Sequence, residues 1–465
     1  MEDLLDLPVR ELAKAVRDKR VSSKNLVTAF LDRIEKHNPR LNAMVCSIAD
    51  IALKNAHKAD TELAQGNLRG KLHGVPFTIK DSLDTKDAVT TWGTRGRAEF
   101  RPGADATCVA RLRDAGAILL GKTNTPEFTL WFETDNLVYG RTNNPYDLAR
   151  TPGGSSGGAA ALIASHCIPF DIGTDTGGSI RLPAHFTGIC GIKPSMGLVP
   201  RTGNALPMSG VLAPLTQVGP MARHVDDLAY LLPIISGPDF VDPATVVHAL
   251  ACPDEVDLTK LRIGYFKDNG IKAPCSETNQ TITRLVELFN NQNWQVSEAR
   301  PTGIEMTHFI TNRLFAMDGP TLVENLLDDS RTTEPTDYVR ALLEAGSPSP
   351  SDSRDLSHLV SLWHNYQSSM LEYFINHDIL ICPVNSGLAV THGATQDLSG
   401  YTYTNAFNLT GWPVVVIRAG TSASGLPIGL QIAAAPFQDS TALAFAKWLE
   451  ANLGEFPGPL DYKPS

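Results

Sequence analysis

Residues 151–194 contain two glycine- and serine-rich stretches, Thr-Pro-Gly-Gly-Ser-Ser-Gly-Gly at 151–158 and Gly-Thr-Asp-Thr-Gly-Gly-Ser-Ile-Arg at 173–181. A helix at 157–165 and a strand at 168–172 are predicted between them, so the two stretches lie at element ends. Consecutive glycines allow backbone N–H groups to converge on one point, because no Cβ obstructs them. Convergent N–H donors beside a serine hydroxyl are typical of an oxyanion hole beside a nucleophile.

Three other interpretations fit these stretches less well. A pair of ordinary turns leaves unexplained why two such clusters flank a single helix and strand. A phosphate cradle would require Gly-Lys-Ser/Thr or G-x-G-x-x-G, and neither follows here. Residues 153–157 match G-x-S-x-G, but the nucleophile elbow with that pattern requires a strand directly before the serine, and loop residues precede it here.

The rest of the chain alternates between strand and helix patterns, which predicts an α/β architecture with a mixed or parallel sheet. A first amphipathic helix begins after Ser22 or Ser23 and is expected to stop at Asn38-Pro39. The other predicted elements are a strand at 73–80, a helix at 105–115, strands at 117–120 and 261–266, a helix at 278–290, a strand at 294–298, a mainly helical region at 304–377 with a surface loop at 346–351, strands at 377–383 and 414–417, and a polar, turn-rich segment at 404–411.

Composition excludes several classes of protein. The 465 residues are 42% hydrophobic and 19% charged, which excludes wholesale disorder. The net charge of −10 and the absence of a basic run argue against nucleic-acid binding. Seven scattered cysteines without a C-x-x-C pair, an acidic start and no apolar run of about 18 residues predict a cytoplasmic protein that does not enter a membrane. No metal-ligand constellation is present, so we expect neither a metal nor a cofactor.

Three separated motifs resemble those of the amidase signature family, and the resemblance covers most of the chain. Ser155 and Ser179 lie 24 residues apart, the family's spacing between its bridging serine and its nucleophile. Residues 74–81 match the family's G-V-P-x-x-x-K-D segment, whose lysine is Lys80. Residues 404–413 match T-x-x-F-N-x-x-G-x-P, which includes Phe407.

The resemblance implies a Ser–Ser–Lys triad. Ser179 would attack a carbonyl carbon, Ser155 would bridge it to Lys80, and Lys80 would act as base and later return a proton. The apolar residues before Lys80 make burial plausible, and burial favours the neutral lysine that a base requires. The family also implies a cis peptide bond before Ser155. The backbone N–H groups of the 176–179 loop would form the oxyanion hole, namely those of Thr176, Gly177, Gly178 and Ser179.

Other residues are assigned supporting roles. Asp175 and Arg181 flank the oxyanion hole and are expected to shape its loop, and Ser156 is expected to support the bridging serine through hydrogen bonds. His185, although near Ser179 in sequence, is expected to be a packing residue. The expected substrate pocket consists of Trp131, Phe132, Tyr139, Gly154 and Phe407.

The family implies one domain over 1–465 in the amidase signature fold, a mixed central sheet covered by helices on both faces. The core would span about 70–235, and a C-terminal α/β part with a helical cap about 258–400.

The expected activity is hydrolysis of a small apolar or aryl amide through an acyl-enzyme, by a monomer or homodimer with a small-molecule substrate. A carbamate (urethane) or ester hydrolase is one alternative. Another is the subunit of a glutamyl-tRNA amidotransferase that shares these motifs and works on glutamine inside a complex. Residues 195–203 depart from the serine- and tyrosine-containing run of that subunit, which favours the free hydrolase. A protein that only binds is a third alternative, disfavoured because the triad residues are all present.

Overall fold

The computed structural model describes residues 2–292, 294–345, 353–395 and 397–459, so the loop expected at 346–351 lies outside the described residues. The strands are β1 (Met44–Ser47), β2 (Pro76–Lys80), β3 (Ile118–Thr123), β4 (Phe170–Asp175), β5 (Cys190–Lys193), β6 (Gln217–Ala222), β7 (Arg262–Tyr265), β8 (Gln295–Glu298), β9 (Ile379–Pro383), β10 (Val414–Thr421) and β11 (Pro427–Ala434). The helices are α1 (Glu2–Leu5), α2 (Val9–Arg17), α3 (Ser23–Leu41), α4 (Ala49–Ala64), α5 (Thr107–Asp114), α6 (Gly157–Ala164), α7 (Arg181–Thr187), α8 (Val225–Ile235), α9 (Ser276–Asn290), α10 (Thr307–Ser330), α11 (Asp337–Glu344), α12 (Ser353–Leu371), α13 (Thr402–Thr410) and α14 (Asp439–Leu453).

The strands of the described residues form one 11-stranded sheet in the order β1-β3-β2-β4-β6-β5-β10-β11-β9-β7-β8. Strand β2 runs parallel to both of its neighbours, β3 and β4, whereas β10 is antiparallel to β5 and β11. The prediction of an α/β fold with a mixed sheet is therefore confirmed. The C-terminal strands β10 and β11 lie between β5 and β9, so strands from both halves of the chain share one sheet.

Helices cover both faces of this sheet, as the resemblance implied. Alternate residues of a strand point to opposite faces. In β9, Ile379 and Ile381 join a hydrophobic cluster with residues of α3, α6, α8 and α14, while Leu380 and Cys382 join a second cluster with residues of α10, α12 and α13. The helical region predicted at 304–377 supplies α10 and α12 to this second layer.

Helix α3 begins as predicted but ends later than predicted. The Ser22 hydroxyl accepts a hydrogen bond from the Asn25 N–H at 3.1 Å, which caps the first turn. The helix continues through Pro39 to Leu41. Asn42 is left-handed with φ 49°, and its N–H donates to the carbonyl of Asn38, so the last turn closes beyond the proline.

The segment predicted as polar and turn-rich at 404–411 is mostly helix α13, so that prediction was wrong. Threonine and asparagine favour turns when their side chains bond to their own backbone. In α13, the Thr404 hydroxyl contacts the Tyr401 carbonyl at 2.8 Å, but Thr404 and Asn408 also bond to residues 175–177 of a distant loop. This tertiary hydrogen bonding allows polar residues to occupy a buried helix.

Candidate active site

The candidate catalytic residues meet at one edge of the sheet. Lys80 is the last residue of β2, and Asp175 is the last residue of β4, which lies parallel beside it. Parallel strands carry their carboxyl ends to the same edge, where ligands of α/β sheets usually bind. Ser179 follows β4 in the loop before α7, and Ser155 lies just before α6, a helix that contacts β2, β4 and α7.

Lys80 and Ser155 are in direct contact in the protein interior. The Nζ atom of Lys80 lies 2.6 Å from Ser155 Oγ and 2.8 Å from Thr174 Oγ1, and both Lys80 and Ser155 are fully buried. Burial lowers the pKa of Lys80 well below its usual value, although the nearby carboxylates of Asp175 and Asp171 act in the opposite direction. Burial therefore favours the neutral amine, which is the form that can accept a proton from the serine hydroxyl.

The two serine loops are joined by their backbones. The Ser156 N–H donates to the carbonyl oxygen of Ser179 at 3.1 Å, and the Ser156 hydroxyl donates to the carbonyl of Thr174 at 3.4 Å. The peptide bond between Gly154 and Ser155 is cis. Ser156 thus links the loop of Ser155 to the loop of Ser179, which is the kind of support that the resemblance implies.

The loop at 176–179 presents glycine backbone to a cavity. Thr176, Gly177 and Ser179 line that cavity, and Ser179 is 6% exposed. Gly178 has φ +125°, and a Cβ atom there would overlap the Thr404 hydroxyl, so this position requires glycine. The Thr404 hydroxyl holds the loop by donating to the Gly177 carbonyl at 2.7 Å.

The Gly178 N–H was expected to be an oxyanion-hole donor, but it has another hydrogen-bond partner. It donates to Asp175 Oδ1 at 2.9 Å, which commits this donor to the loop's own carboxylate. We therefore retain Thr176, Gly177 and Ser179 as candidate donors and assign the Gly178 N–H to loop shaping.

Asp175 and Arg181 form a fully buried ion pair beneath the loop. Arg181 Nη2 lies 2.9 Å from Oδ1 and Nε lies 3.0 Å from Oδ2, and both side chains are 0% exposed. Burial alone would raise the pKa of Asp175, but the charge and hydrogen bonds of Arg181 and the amide of Asn408 outweigh it and hold the pKa well below the usual range. The ionised Asp175 also accepts backbone N–H bonds from Gly178 and Ile180, so it fixes the loop that carries Ser179.

The remaining guanidinium hydrogen bonds of Arg181 reach residues that the sequence analysis missed. Arg181 donates to the Thr404 carbonyl, to Asn408 Oδ1 at 2.6 Å and to Gln431 Oε1 at 2.8 Å. Thr404 and Asn408 lie four residues apart in the matched C-terminal motif. A helical interpretation of that motif would have placed both on one face, whereas no sequence signal pointed to Gln431 on β11.

A cavity of about 400 Å³ opens above Ser179. Its walls come from residues 129–132, the 176–179 loop, helix α10, the end of helix α11, Leu398 and Asn405. Trp131 and Phe132, two of the expected pocket residues, are part of this wall. Trp131 stacks on Tyr338 with ring centroids 5.4 Å apart, and Phe132 stacks on Tyr401 at 3.9 Å, so both rings are held in place by other aromatic residues.

Phe407 and Tyr139 do not line this cavity, in contrast to the expectation. Phe407 is fully buried in the second hydrophobic cluster, because the helical turn of α13 directs Asn405 toward the cavity instead. The Tyr139 N–H donates to Asn136 Oδ1 at 2.8 Å in a tight turn, and its phenol lies beside Thr91. The phenol is therefore held beside Thr91 rather than in the cavity wall.

Gly154, another expected pocket residue, also does not line the cavity. A Cβ atom at Gly154 would lie 2.7 Å from the carbonyl oxygen of Trp131 and from the carbonyl carbon of Phe132. The lack of a side chain therefore lets the Ser155 loop pack directly beneath the backbone of the aromatic wall. Its role is close backbone approach rather than substrate contact.

The motifs that build this site belong to a known family. A family model described as Amidase matches residues 25–443. The chain belongs to the amidase signature family. It is therefore an amide-hydrolysing enzyme, and the amidase fold expected from its motifs is confirmed.

Relatives of this amidase are of similar length. It is 32% identical to a glutamyl-tRNA(Gln) amidotransferase subunit of Clostridium acetobutylicum, over 96% of this chain and 99% of that protein. It is 32% identical to fatty-acid amide hydrolase 2-A of Danio rerio, over 99% of this chain and 92% of that protein. The crystal structure of a bacterial aryl acylamidase of the same family superposes with a TM-score of 0.86 at 27% identity, covering 96% of each chain.

The described part of this amidase contains neither a membrane span nor a metal cluster. Among the described residues, no helix is long and apolar enough to cross a membrane. No group of three or more His, Cys, Asp or Glu residues that could hold a metal ion occurs in the described ranges.

Proposed function

We propose that this amidase hydrolyses the C–N bond of a small apolar or aryl amide with Ser179 as nucleophile, Ser155 as proton bridge and Lys80 as base. The observation that supports this most directly is the 2.6 Å contact between Lys80 Nζ and Ser155 Oγ, in a fully buried position beside the Ser179 loop. A hydroxyl this close to a neutral amine can pass its proton in either direction.

In the acylation step, neutral Lys80 takes the Ser155 proton while Ser155 takes the Ser179 proton. Ser179 Oγ bonds to the carbonyl carbon, and the carbonyl oxygen becomes an oxyanion facing the N–H groups of Thr176, Gly177 and Ser179. Loss of one such donor typically raises a barrier by about 2.7–4 kcal/mol. The proton then returns through Ser155 to the leaving nitrogen, the C–N bond breaks, and the acyl group stays on Ser179.

Deacylation reverses the proton path. A water molecule gives its proton to Ser155, which passes its own proton to Lys80, as the water oxygen bonds to the acyl carbon. The ester bond to Ser179 then breaks, Ser179 regains the proton, and the carboxylic acid leaves. The triad is restored, so no cofactor is required.

The cavity supports an apolar substrate. Its wall combines Trp131 and Phe132 with Phe315 and Leu342, and polar side chains such as His308, Asn312 and Asn405 lie beside this apolar surface. Relatives named for fatty-acid amides and aryl acylamides agree with this chemistry. A carbamate or ester would react through the same acyl step, so a urethanase or esterase activity remains an alternative.

A second candidate function is glutamine hydrolysis within an amidotransferase complex, which is supported by 32% identity to the clostridial subunit. Our first proposal is a monomer or homodimer that works without a partner chain, membrane or nucleic acid. We also propose a cytoplasmic location. The described cysteines are all free, including the exposed Cys252, as is usual in a reducing compartment.

The test is product release from an aryl amide, an alkyl amide, a carbamate, an ester and glutamine, with Ser179→Ala as the blank. We expect turnover of an amide that disappears in the blank. Turnover that survives in Ser179→Ala would reject the nucleophile. Turnover of glutamine alone would favour the amidotransferase function, and turnover of the carbamate above the amides would favour a urethanase.

A further inference from the structure

Asp171 is a buried carboxyl group near Lys80 to which the proposed proton path gives no role. It lies on β4 directly opposite Thr78 of β2, in a parallel pair. Residues two apart in a strand share a face, so Thr78, Lys80 and Asp171 occupy the same face of the sheet. The carboxyl group therefore faces the region occupied by the lysine side chain.

Of the two carboxylate oxygens of Asp171, one is hydrogen-bonded and the other has no partner among the described residues. Its Oδ2 atom accepts from the Thr78 hydroxyl at 2.6 Å and from the Thr123 hydroxyl at 3.1 Å, and Thr123 is the β3 residue paired with Lys80. Its Oδ1 atom is buried and has no hydrogen-bond partner within the described ranges. A bare, buried carboxylate oxygen is costly, so the charge on this group depends strongly on nearby cations.

The charges that face Asp171 come from three strands. Burial raises the pKa of Asp171 to about 7, against the opposing effect of the threonine hydrogen bonds and of the cations Lys122 on β3 and Lys80 on β2. Asp175, further along β4, is already paired with Arg181. Helix α6 and strand β6, which pack against β4, carry no titratable side chain.

Of the two facing cations, only Lys80 changes charge in the proposed reaction. The Nζ atom of Lys122 is engaged by the carbonyl of Leu83 and by the Thr85 hydroxyl at 2.9 Å. Lys80 contacts serine and threonine oxygens but no carboxylate. Asp171 is therefore a carboxyl group on the same face, without an arginine partner, that can respond to the lysine's charge.

We propose that Asp171 is a positioning residue of the amidase reaction, whose carboxylate stabilises the ammonium form of Lys80 each time the serines pass it a proton. This rests on the proposed role of Lys80 as base. No bond to Asp171 forms or breaks, and the transferred proton stays on Nζ. Without the carboxylate, buried Lys80 would be a weaker base than the reaction needs. The two groups would titrate as one coupled pair.

The first test is the pH profile of kcat and KM for amide hydrolysis by Asp171→Asn. Residues at diagonal positions on adjacent strands lie about 7–8 Å apart, and a unit charge at that distance in an effective dielectric of about 20 changes a pKa by about one to two units. We expect the acid limb of kcat/KM to move to lower pH by about one unit, kcat at the plateau to fall about tenfold, and KM to stay within about twofold.

Asp227→Asn is the matched control. Asp227 is also buried, has one oxygen without a partner among the described residues, and has its pKa raised to about 7 by burial, but the charges facing it are Arg223, Glu450 and Asp226. Its variant should leave the acid limb in place. Identical profiles for Asp171→Asn and the parent enzyme, or equal shifts in both variants, would overturn the proposal.

A second readout does not depend on turnover or on the folding of Asp171→Asn. Infrared difference spectra against pH follow the protonated carboxyl band of a buried aspartic acid. In Lys80→Met, which removes the facing cation, the Asp171 band should persist to higher pH, and the Asp227 band should not move. Thr123→Val, which removes a donor to the carboxylate, should shift the band and the acid limb in the same directions as above, by less.

These outcomes separate the two proposals. Amide turnover that survives in Ser179→Ala or Lys80→Met would reject the proposed function. The role of Asp171 alone would be rejected by a different set of results. Turnover would be lost in both variants, the pH profile of Asp171→Asn would match that of the parent enzyme, and Lys80→Met would not shift the Asp171 band.

Discussion

Burial by itself does not distinguish a catalytic lysine in this protein. Lys80, Lys122 and Lys193 are all fully buried, and burial lowers the pKa of each. The Nζ atoms of Lys122 and Lys193 are bonded mainly to carbonyl oxygens, which suits a structural role. Only Lys80, among the described lysines, has its amine against a serine hydroxyl. The partner of the amine, rather than its depth, favours Lys80 as the proposed base.

We expect Lys80→Met and Lys80→Arg to reduce kcat/KM for the best amide substrate by at least about 10³-fold. Methionine removes the amine, and arginine keeps a positive charge but cannot become neutral. Steady-state hydrolysis by the purified variants measures the loss. Lys193→Met removes another buried amine and should lose stability while it keeps most of kcat. An active Lys80→Arg enzyme would contradict the base assignment.

His185 lies close to Ser179 in sequence but is a buried packing residue. Its Nε2–H donates to the Gly387 carbonyl at 3.1 Å, and its Nδ1 accepts the Gly429 N–H at 2.7 Å, so the ring is neutral. Burial lowers the pKa of His185 to about 4. The unfolded chain takes up this proton near pH 6.5, so the folded state loses stability as pH falls from about 6.5 toward 4.

The resulting prediction concerns His185→Gln. Between pH 7 and pH 5, its unfolding free energy should fall by about 2 kcal/mol less than that of the parent protein, because one buried group no longer titrates. Urea unfolding at the two pH values measures this difference. His57→Gln, at an exposed histidine, should show the parent's pH dependence. Equal pH dependence in His185→Gln and the parent would show that His185 is not held neutral.

Among the secondary-structure elements, α11 closes part of the cavity and is anchored by a buried glutamate. Glu127 Oε2 accepts both the N–H and the hydroxyl of Thr336 at 2.7 Å, and its Oε1 accepts the Thr94 hydroxyl at 2.6 Å. Tyr338 at the start of α11 stacks on Trp131. Helix α11 is thereby fixed to the loop that forms the aromatic wall of the cavity.

We expect Glu127→Gln to raise KM for a bulky aryl amide about tenfold with a smaller change in kcat. The amide nitrogen of glutamine would face the Thr336 donors, and an unmade buried hydrogen bond costs about 1–3 kcal/mol. Kinetics with a bulky and a small amide measure the effect, which should be weaker for the small one. Arg340→Ala, on the exposed side of α11, is the control. A fall in kcat with unchanged KM would show that Glu127 acts on the chemistry instead.

At the level of the whole chain, two hydrophobic clusters lie on opposite faces of one sheet, and the loops with the candidate catalytic residues lie at an edge of that sheet. The net charge is −10, so acidic groups outnumber basic ones. The proposed nucleophile, the proposed base and the cavity all lie in one chain, so the proposed reaction requires no residue from a partner.

We therefore expect the purified chain to elute from gel filtration as a monomer or homodimer, with amide hydrolysis in the same fractions. Because the site is formed by one chain, specific activity should not depend on protein concentration or on added nucleic acid. Activity assays across the elution profile measure this. Activity that appears only after a partner protein is added would contradict the free-standing enzyme and favour the amidotransferase complex.

The amino-acid sequence by itself determined the fold class and the candidate triad. The fold class depends on the local alternation of strands and helices, and the candidate triad depends on motifs that resemble those of the amidase signature family. Local patterns also predicted the cap at Ser22, because a helix start is built by neighbouring residues. The resemblance to the family implied that Trp131, Phe132 and Tyr139 line the pocket, and the first two do so.

The tertiary structure decided what depends on contacts between distant segments. Helix α13 was predicted as a turn because threonine and asparagine favour turns, and only the tertiary structure shows that Thr404 and Asn408 also bond to the 175–177 loop. The Arg181–Gln431 contact and the closure of the cavity by α11 also join segments that are far apart in sequence, so local patterns did not predict them. In the sequence, Asp171 is one polar residue within a predicted strand. Only the register of β2, β3 and β4 shows that it lies on the same face of the sheet as Lys80. Side-chain roles set by partners more than 90 residues away cannot be read from local sequence.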